Sequence, residues 1–260
     1  MKDFSKIQHK PVGYCIYCGS TEELSREHII PFGLSGTAVI PKASCKACSK
    51  IINQFEQDVL RGPMWAVRIL RRLKSRRKHS EAPKTYPLTV IRNGREEIIN
   101  LPINQYPILL HFPIFAPPAF LYQSNYKSGI KISGVVTISF GPRPEIVLTQ
   151  LGAQKIKISQ KYNFISFARM LAKIAYCMAF AEGALKYIIG SSPVLPAILG
   201  KRDDIGRWVG TSNKPYTKDS NILHKVSIHR DKEKGLLIGE VRLFADSETP
   251  TYEVILGKLK

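Results

Sequence analysis

Four cysteines near the start of the sequence lie in two pairs that have the spacing of a metal site. Each pair is a CxxC motif, and 26 residues separate the two motifs, which comprise Cys15, Cys18, Cys45 and Cys48. Four thiolates arranged in this way are typical ligands of a structural zinc ion. Because so short a segment buries little apolar surface, zinc would supply much of its free energy of folding. The sequence therefore predicts a four-cysteine zinc site, and Cys177, in an apolar run, is expected to be a core residue.

The stretch between the two cysteine pairs carries a second group of reactive side chains. It reads Arg26-Glu27-His28-Ile29-Ile30-Pro31 and continues into a glycine-rich turn at residues 33–36. The order of CxxC, Glu-His-Ile-Ile-Pro, turn, CxxC and helix resembles the HNH endonuclease superfamily over about residues 14–60. The resemblance implies a ββα-metal fold, with His28 as the general base that activates water and Glu27 as a catalytic ligand of a divalent cation. The alternative is a partly buried, hydrogen-bonded His28 without a catalytic role.

Further ligands of a catalytic Mg²⁺ or Mn²⁺ are expected on the helix that follows Cys48. Members of the superfamily commonly have His or Asn directly after the second CxxC, sometimes with another four residues later. This sequence has Ser49 and Asn53 at those positions, and Glu56 lies one further turn along the same helical face. With these departures, we expect Glu27 and Asn53 as the ligands, with Glu56 as the next candidate from its place on the helical face. The alternatives are a plain surface position for Asn53 and an ion pair with a base for Glu56.

A second departure from the superfamily precedes the second cysteine pair. Many members have an Asn there that fixes the loop carrying the base, whereas residues 40–44 contain none. Either Ser44 or a backbone group replaces that Asn, or catalysis is weaker than in the superfamily. A retired nuclease that keeps only the zinc and the shape is a further alternative.

Two short strands and one helix are needed to position these side chains. Residues 24–29 and 38–43 are predicted as strands joined by the turn, and residues 45–61 as a helix that ends at Gly62-Pro63. Adjacent residues of a strand point to opposite sides of it. The hairpin must therefore bend or twist if Glu27 and His28 are to reach the same phosphate.

The charge of the chain predicts a polyanionic partner. The 39 Lys and Arg residues exceed the 20 Asp and Glu residues, so the net charge is +19, and nucleic acid is the first candidate. DNA is favoured over RNA, although no residue fixes that choice. The basic segment at residues 61–84, whose alternative is a solvated helix face or a linker, supplies the candidate phosphate contacts. These are Arg68, Arg71, Arg72, Lys74, Arg76, Arg77 and Lys78.

The predicted fold class is α+β, in three zones. Residues 1–62 form the zinc-stapled HNH module, residues 63–84 a basic helix or linker, and residues 85–260 a mixed α/β body whose role the sequence does not indicate. In that body we predict a hairpin around Gly141 and Pro142, a long apolar helix at residues 164–189, and antiparallel strands at residues 222–229, 236–244 and 251–256.

Charged residues interrupt the apolar stretch at residues 164–190, which argues against a membrane span. The N-terminus lacks the apolar run of a signal peptide, so a soluble, cytoplasmic protein is expected. The leading hypothesis is a metal-dependent DNA endonuclease, with defence against foreign DNA as one setting. The alternatives are a non-catalytic zinc-ribbon nucleic-acid-binding protein and an RNA-cleaving enzyme. A homodimer or an accessory protein also stays open as a partner.

Overall fold

The structure is a computed structural model that describes residues 9–75, 83–122, 126, 128–158 and 160–260. Helices and antiparallel sheets are mixed in it, as the α+β prediction requires. The helices are α1 (Lys46–Arg61), α2 (Trp65–Leu70), α3 (Pro144–Leu151), α4 (Phe164–Ala181) and α5 (Leu195–Ile198). The strands are β1 (Ser25–His28), β2 (Val39–Ser44), β3 (Thr85–Arg92), β4 (Arg95–Pro102), β5 (Ile108–Phe115), β6 (Ile132–Phe140), β7 (Lys155–Lys157), β8 (Val209–Thr211), β9 (His224–Asp231), β10 (Leu236–Leu243) and β11 (Tyr252–Lys258).

A hairpin followed by a helix makes up the N-terminal unit. Strands β1 and β2 pair antiparallel, with Glu27 opposite Ile40, and the register shifts between Ser25 and Glu27. Helix α1 follows β2 directly and ends at Gly62, whose N–H donates to the Asp58 carbonyl at 3.0 Å. A Cβ atom at this glycine would lie 2.4 Å from the same carbonyl oxygen, so the position needs glycine. The two predicted strands and the predicted helix are confirmed to within about two residues.

Helix α4 is the centre of the protein. It begins at Asn163, whose side chain accepts a hydrogen bond from the Ser166 N–H at 3.0 Å, and the Ser166 hydroxyl donates to Asp58 of α1 at 2.7 Å. On its other side α4 packs against the sheet so closely that a Cβ atom at Gly239 would lie 2.6 Å from the Ala175 Cβ. The helix thus contacts both the N-terminal unit and the body of the protein. The predicted helix is confirmed, but it ends at Ala181 and not at residue 189.

By length and composition alone, α4 is apolar enough to cross a membrane, but most of it is buried inside the protein. It is the one helix of that kind in the described part of the chain. Its basic side chains also bond within the protein, since Arg169 donates to the Ile198 carbonyl at 2.7 Å. Burial of this kind is the pattern of a core helix in a soluble protein.

Three antiparallel sheets form the body. The largest has the strand order β8-β11-β10-β9. Its strands β9, β10 and β11 confirm the strands predicted at residues 222–229, 236–244 and 251–256. A second sheet has the order β4-β3-β7, and β5 pairs with β6 in the third. The buried apolar side chains form one continuous cluster from Cys15 to Leu256. The domain boundaries at residues 62 and 84 remain predictions, because the core contains residues from both sides of each boundary.

The predicted hairpin around Gly141 and Pro142 is wrong. Residues 132–140 form the single strand β6, which pairs with β5, and Gly141, with φ +77°, ends it. The chain then enters α3, where Pro144 occupies the first turn. Proline is favoured there because the first-turn N–H has no partner within the helix, whereas it would remove a ladder hydrogen bond from a strand.

Candidate functional site

The four N-terminal cysteines come together in space. Their sulfur atoms all lie within 4.8 Å of one another, and the Cys18 and Cys45 sulfurs are 3.6 Å apart. A tetrahedral zinc ion with bonds of about 2.3 Å to sulfur requires sulfur–sulfur distances of about 3.8 Å, so the cluster fits this ion. Cys18 is exposed and the other three are buried. The predicted grouping of the four ligands is confirmed, and Cys177 is a buried core residue as expected.

Hydrogen bonds donated by main-chain N–H groups hold the two knuckles. The Cys15 N–H donates to the Ser20 carbonyl at 2.7 Å, and the Gly19 N–H returns to the Cys15 carbonyl at 2.8 Å. In the second knuckle the Cys48 N–H donates to the Cys45 sulfur at 3.5 Å. Such N–H groups favour the thiolate form that binds metal. The cluster therefore has the donor atoms, the spacing and the backbone support of a structural zinc site.

His28 is the last residue of β1 and is partly buried. Its ring lies against Phe32, with the ring centroids 5.5 Å apart. Burial lowers the pKa of His28 below its ordinary value, the positive charges of Lys173 and Arg26 lower it further, and Glu27 opposes them in part. A lowered pKa keeps the imidazole neutral at neutral pH, and this is the protonation state that a general base requires.

The carboxylates of Glu27 and Glu56 lie close together, as the predicted ligand set requires, but both form ion pairs with a lysine. The ammonium of Lys173, from α4, lies 2.7 Å from Glu27 Oε1 and 3.0 Å from Glu56 Oε1. The lysine side chain is fully buried, and the two glutamates are 8% and 12% exposed. Burial by itself would lower the pKa of Lys173, but the two carboxylates outweigh it and the pKa lies above its ordinary value. Lys173 is therefore charged.

Asn53, the third predicted ligand, lies elsewhere on α1. It is exposed and lines a surface groove with Ser25, Lys46 and Ser49. Glu27 and Glu56 do not line that groove. The Ser49 hydroxyl is 2.9 Å from the Ser44 hydroxyl and 3.2 Å from that of Ser25, so its contacts are with other serines.

The arrangement does not fit a divalent cation held by Glu27, Asn53 and Glu56. Magnesium requires about six oxygen ligands at about 2.1 Å, several of them water. Here two of the three proposed side chains are buried and already bound to an ammonium, and the third faces solvent. Glu56 instead has the ion pair that was its alternative, with Lys173 as the base.

Two of the candidate phosphate-binding arginines make contacts within the protein. Arg68 donates to the carbonyls of Gly33 and Leu60 at 2.7 and 2.9 Å, which ties α2 to the turn after His28. Arg71 forms a two-pronged ion pair with Asp246, at 3.0 and 2.5 Å. Arg72 and Lys74 are exposed. Arg76, Arg77 and Lys78 lie outside the described residues.

Sequence reasoning missed two residues that contact the histidine region from the body. Lys173 is one, and in the sequence it is a charged residue within the apolar run that forms α4. His224 is the other: its Nε2 lies 2.8 Å from the Leu34 carbonyl, in the turn that follows His28. His224 and His229 both lie on β9. No local pattern identified the contact of His224 with Leu34, because 190 positions separate the two residues.

A scan against protein-family models, a search of curated proteins and a search of solved structures all found no match to this chain. The likeness to HNH endonucleases therefore rests on the motif of residues 14–60. The four-cysteine cluster supports the zinc-binding part of that likeness and leaves its catalytic part as a proposal.

Proposed function

We propose that this chain is a zinc-stapled, HNH-type endonuclease that hydrolyses phosphodiester bonds with His28 as the general base. The observation that carries the proposal is the state of His28. Its imidazole stands at the end of a strand between two zinc knuckles, only partly buried, with a lowered pKa. A neutral imidazole is suited to accept a proton from water.

In the proposed reaction His28 takes a proton from water while the water oxygen attacks phosphorus. The bond from phosphorus to the leaving sugar oxygen then breaks, its electron pair stays on that oxygen, and the oxygen takes a proton from solvent to become a hydroxyl, while His28 later releases its own proton to solvent. Negative charge develops on the phosphate oxygens and must be stabilised by nearby cations or donors. Arg26, exposed on β1 two positions before His28, is the basic side chain that we assign to this role.

Nucleic acid is the proposed substrate, and DNA the first form to test. The net charge of +19 and the exposed Arg72 and Lys74 support contacts with phosphate. Arg68 and Arg71 are assigned to holding the fold, because their guanidinium groups already have protein acceptors.

One observation favours a second candidate, a non-catalytic zinc-ribbon protein that binds nucleic acid. The carboxylates expected to hold the catalytic cation are bound to Lys173. A retired nuclease that keeps its shape and its basic surface would have such a site.

Cleavage of supercoiled plasmid separates the two candidates. Zinc-loaded wild type, His28→Ala and the control His229→Ala, which changes an exposed histidine, are compared with and without added Mg²⁺ or Mn²⁺, and zinc content is measured in each preparation. The nuclease proposal expects nicking or linearisation by wild type and His229→Ala but not by His28→Ala. Equal binding of the plasmid by all three proteins with no cutting establishes the binder instead. A labelled RNA in a parallel reaction decides the choice of substrate.

A further inference from the structure

Lys173 is a charged residue in the middle of the long apolar helix α4. Its side chain has no exposed surface, and it points from α4 towards β1 and α1. Its neighbours along this face of α4, Met170 and Cys177, are buried. A buried ammonium is costly unless several acceptors replace its lost hydration, so the acceptors around it define its role.

Oxygen atoms of several residues surround the ammonium of Lys173. Glu27 Oε1 and Glu56 Oε1 lie at 2.7 and 3.0 Å and form ion pairs with it, and the His28 carbonyl accepts a hydrogen bond from it. The Ile29 carbonyl, at 3.5 Å, adds a weaker contact. The lysine side chain has no exposed surface, so a substrate cannot reach the ammonium.

We propose that Lys173 is the resident cation of this site, held by Glu27 and Glu56 in place of a divalent metal ion. The protein therefore binds no Mg²⁺ or Mn²⁺ at these carboxylates. This assignment concerns binding alone and goes beyond the proposed function. Only its consequence for catalysis, that hydrolysis does not use a metal ion held by Glu27, rests on that proposal.

Lys173 is also a positioning residue for the histidine. By binding the carbonyls of His28 and Ile29, it holds the end of β1 against α4. The hairpin and the core helix are thereby joined at the residue whose ring is proposed to act on water. Phosphate cannot reach the lysine itself, so its contribution passes through the backbone of His28.

The proposal predicts a gain of metal binding when the lysine is removed. In Lys173→Met the side chain keeps an unbranched apolar stem but loses the ammonium, so the carboxylates of Glu27 and Glu56 lose the cation that lies between them. A divalent ion then neutralises them, as an engineered site. We expect Lys173→Met to melt at a lower temperature than wild type, and saturating Mn²⁺ to raise its Tm by about 5–10 °C.

The measurement is thermal unfolding of zinc-loaded protein with and without MnCl₂, joined to Mn²⁺ electron paramagnetic resonance to count bound ions. The Tm of wild type is expected either not to respond to Mn²⁺ or to respond by the same amount as the Tm of Glu56→Gln. The control variant Lys173→Met/Glu27→Gln/Glu56→Gln lacks both carboxylates, so its Tm should not respond to Mn²⁺.

Binding of Mn²⁺ by wild type that is lost in Glu27→Gln or Glu56→Gln overturns the proposal. That comparison keeps Lys173, so it stays decisive even if Lys173→Met fails to fold. Neither readout involves cleavage. A plasmid that is never cut would count against the proposed nuclease and leave the assignment of Lys173 intact.

Discussion

His224 is expected to make the fold sensitive to mild acid. Its Nε2 lies 2.8 Å from the Leu34 carbonyl, and the Phe244 N–H points to its Nδ1 at 3.1 Å. These contacts define one neutral tautomer, in which Nε2 donates and Nδ1 accepts. Protonation of Nδ1 would set one N–H against another and break the contact with Phe244. Burial lowers the pKa of His224 to about 4, and the Leu34 carbonyl opposes this only in part.

The sign and size of the effect follow from linkage. The folded pKa lies below the ordinary value of 6.5, so the unfolded chain takes up a proton first as the pH falls. The free energy of unfolding is unaffected above pH 6.5 and decreases as the pH falls from 6.5 towards 4. The full difference in pKa corresponds to about 3 kcal/mol. Between pH 7 and pH 5 the expected loss is about 2 kcal/mol, less to the extent that solvent reaches the ring.

Urea unfolding of wild type and His224→Gln at pH 7 and pH 5, at constant zinc, measures this loss. Glutamine can donate to the Leu34 carbonyl but does not titrate. His224→Gln is therefore expected to be less stable at pH 7 and to lose about 2 kcal/mol less than wild type on acidification. Protonation of the zinc ligands affects both proteins alike and cancels. His229→Gln, which changes an exposed histidine on the same strand, should behave as wild type. Parallel pH dependence in wild type and His224→Gln would refute the reasoning.

Three further predictions concern the zinc, an ion pair and the exposed face of α1. A chelator such as TPEN should remove about one zinc ion per chain. Because the knuckles then lose their crosslink, circular dichroism should show a loss of helix or a lower Tm. Full retention of the helix content and the Tm would contradict a structural role for zinc. Arg71→Met should cost about 1–3 kcal/mol in urea unfolding because Asp246 loses its partner, whereas the exposed Arg72→Met should cost less than about 0.5 kcal/mol. Asn53→Ala should also stay within about 0.5 kcal/mol of wild type and leave any plasmid cleavage unchanged, since Asn53 is exposed and apart from the glutamates. A large loss of cleavage in Asn53→Ala would restore it as a ligand.

The N-terminal unit was predictable because its determinants are local. The two CxxC motifs define the knuckles, and Gly62 ends α1 where the Asp58 carbonyl needs a donor. The apolar residues of α1 also recur at helical spacing, and Ile52, Phe55 and Val59 are buried as that pattern requires. Each of these signals lies within a few residues of the structure that it specifies.

The wrong prediction of a hairpin at Gly141 and Pro142 has a different physical origin. Gly141 and Pro142 are good turn residues, but the strand before them pairs with β5, which lies earlier in the chain. Proline and glycine can end a strand without returning it on itself, and only the pairing partner decides between the two outcomes. No local rule identifies that partner. The residues of the fold that were missed are those whose role depends on a distant element.

The same division explains why the motif alone does not settle the chemistry of the site. Glu27, His28 and the zinc knuckles are specified within the first sixty residues, but the cation that Glu27 holds comes from Lys173, far along the chain. Two carboxylates and a divalent ion would be neutral, whereas two carboxylates and a lysine retain one negative charge in the interior. The charge of Glu27 opposes the lowering of the His28 pKa, while the ammonium of Lys173 favours it. Under the proposed assignment, the helix packed behind this hairpin decides whether its carboxylates hold a metal ion, and Lys173→Met is expected to alter that choice without changing a residue of the motif.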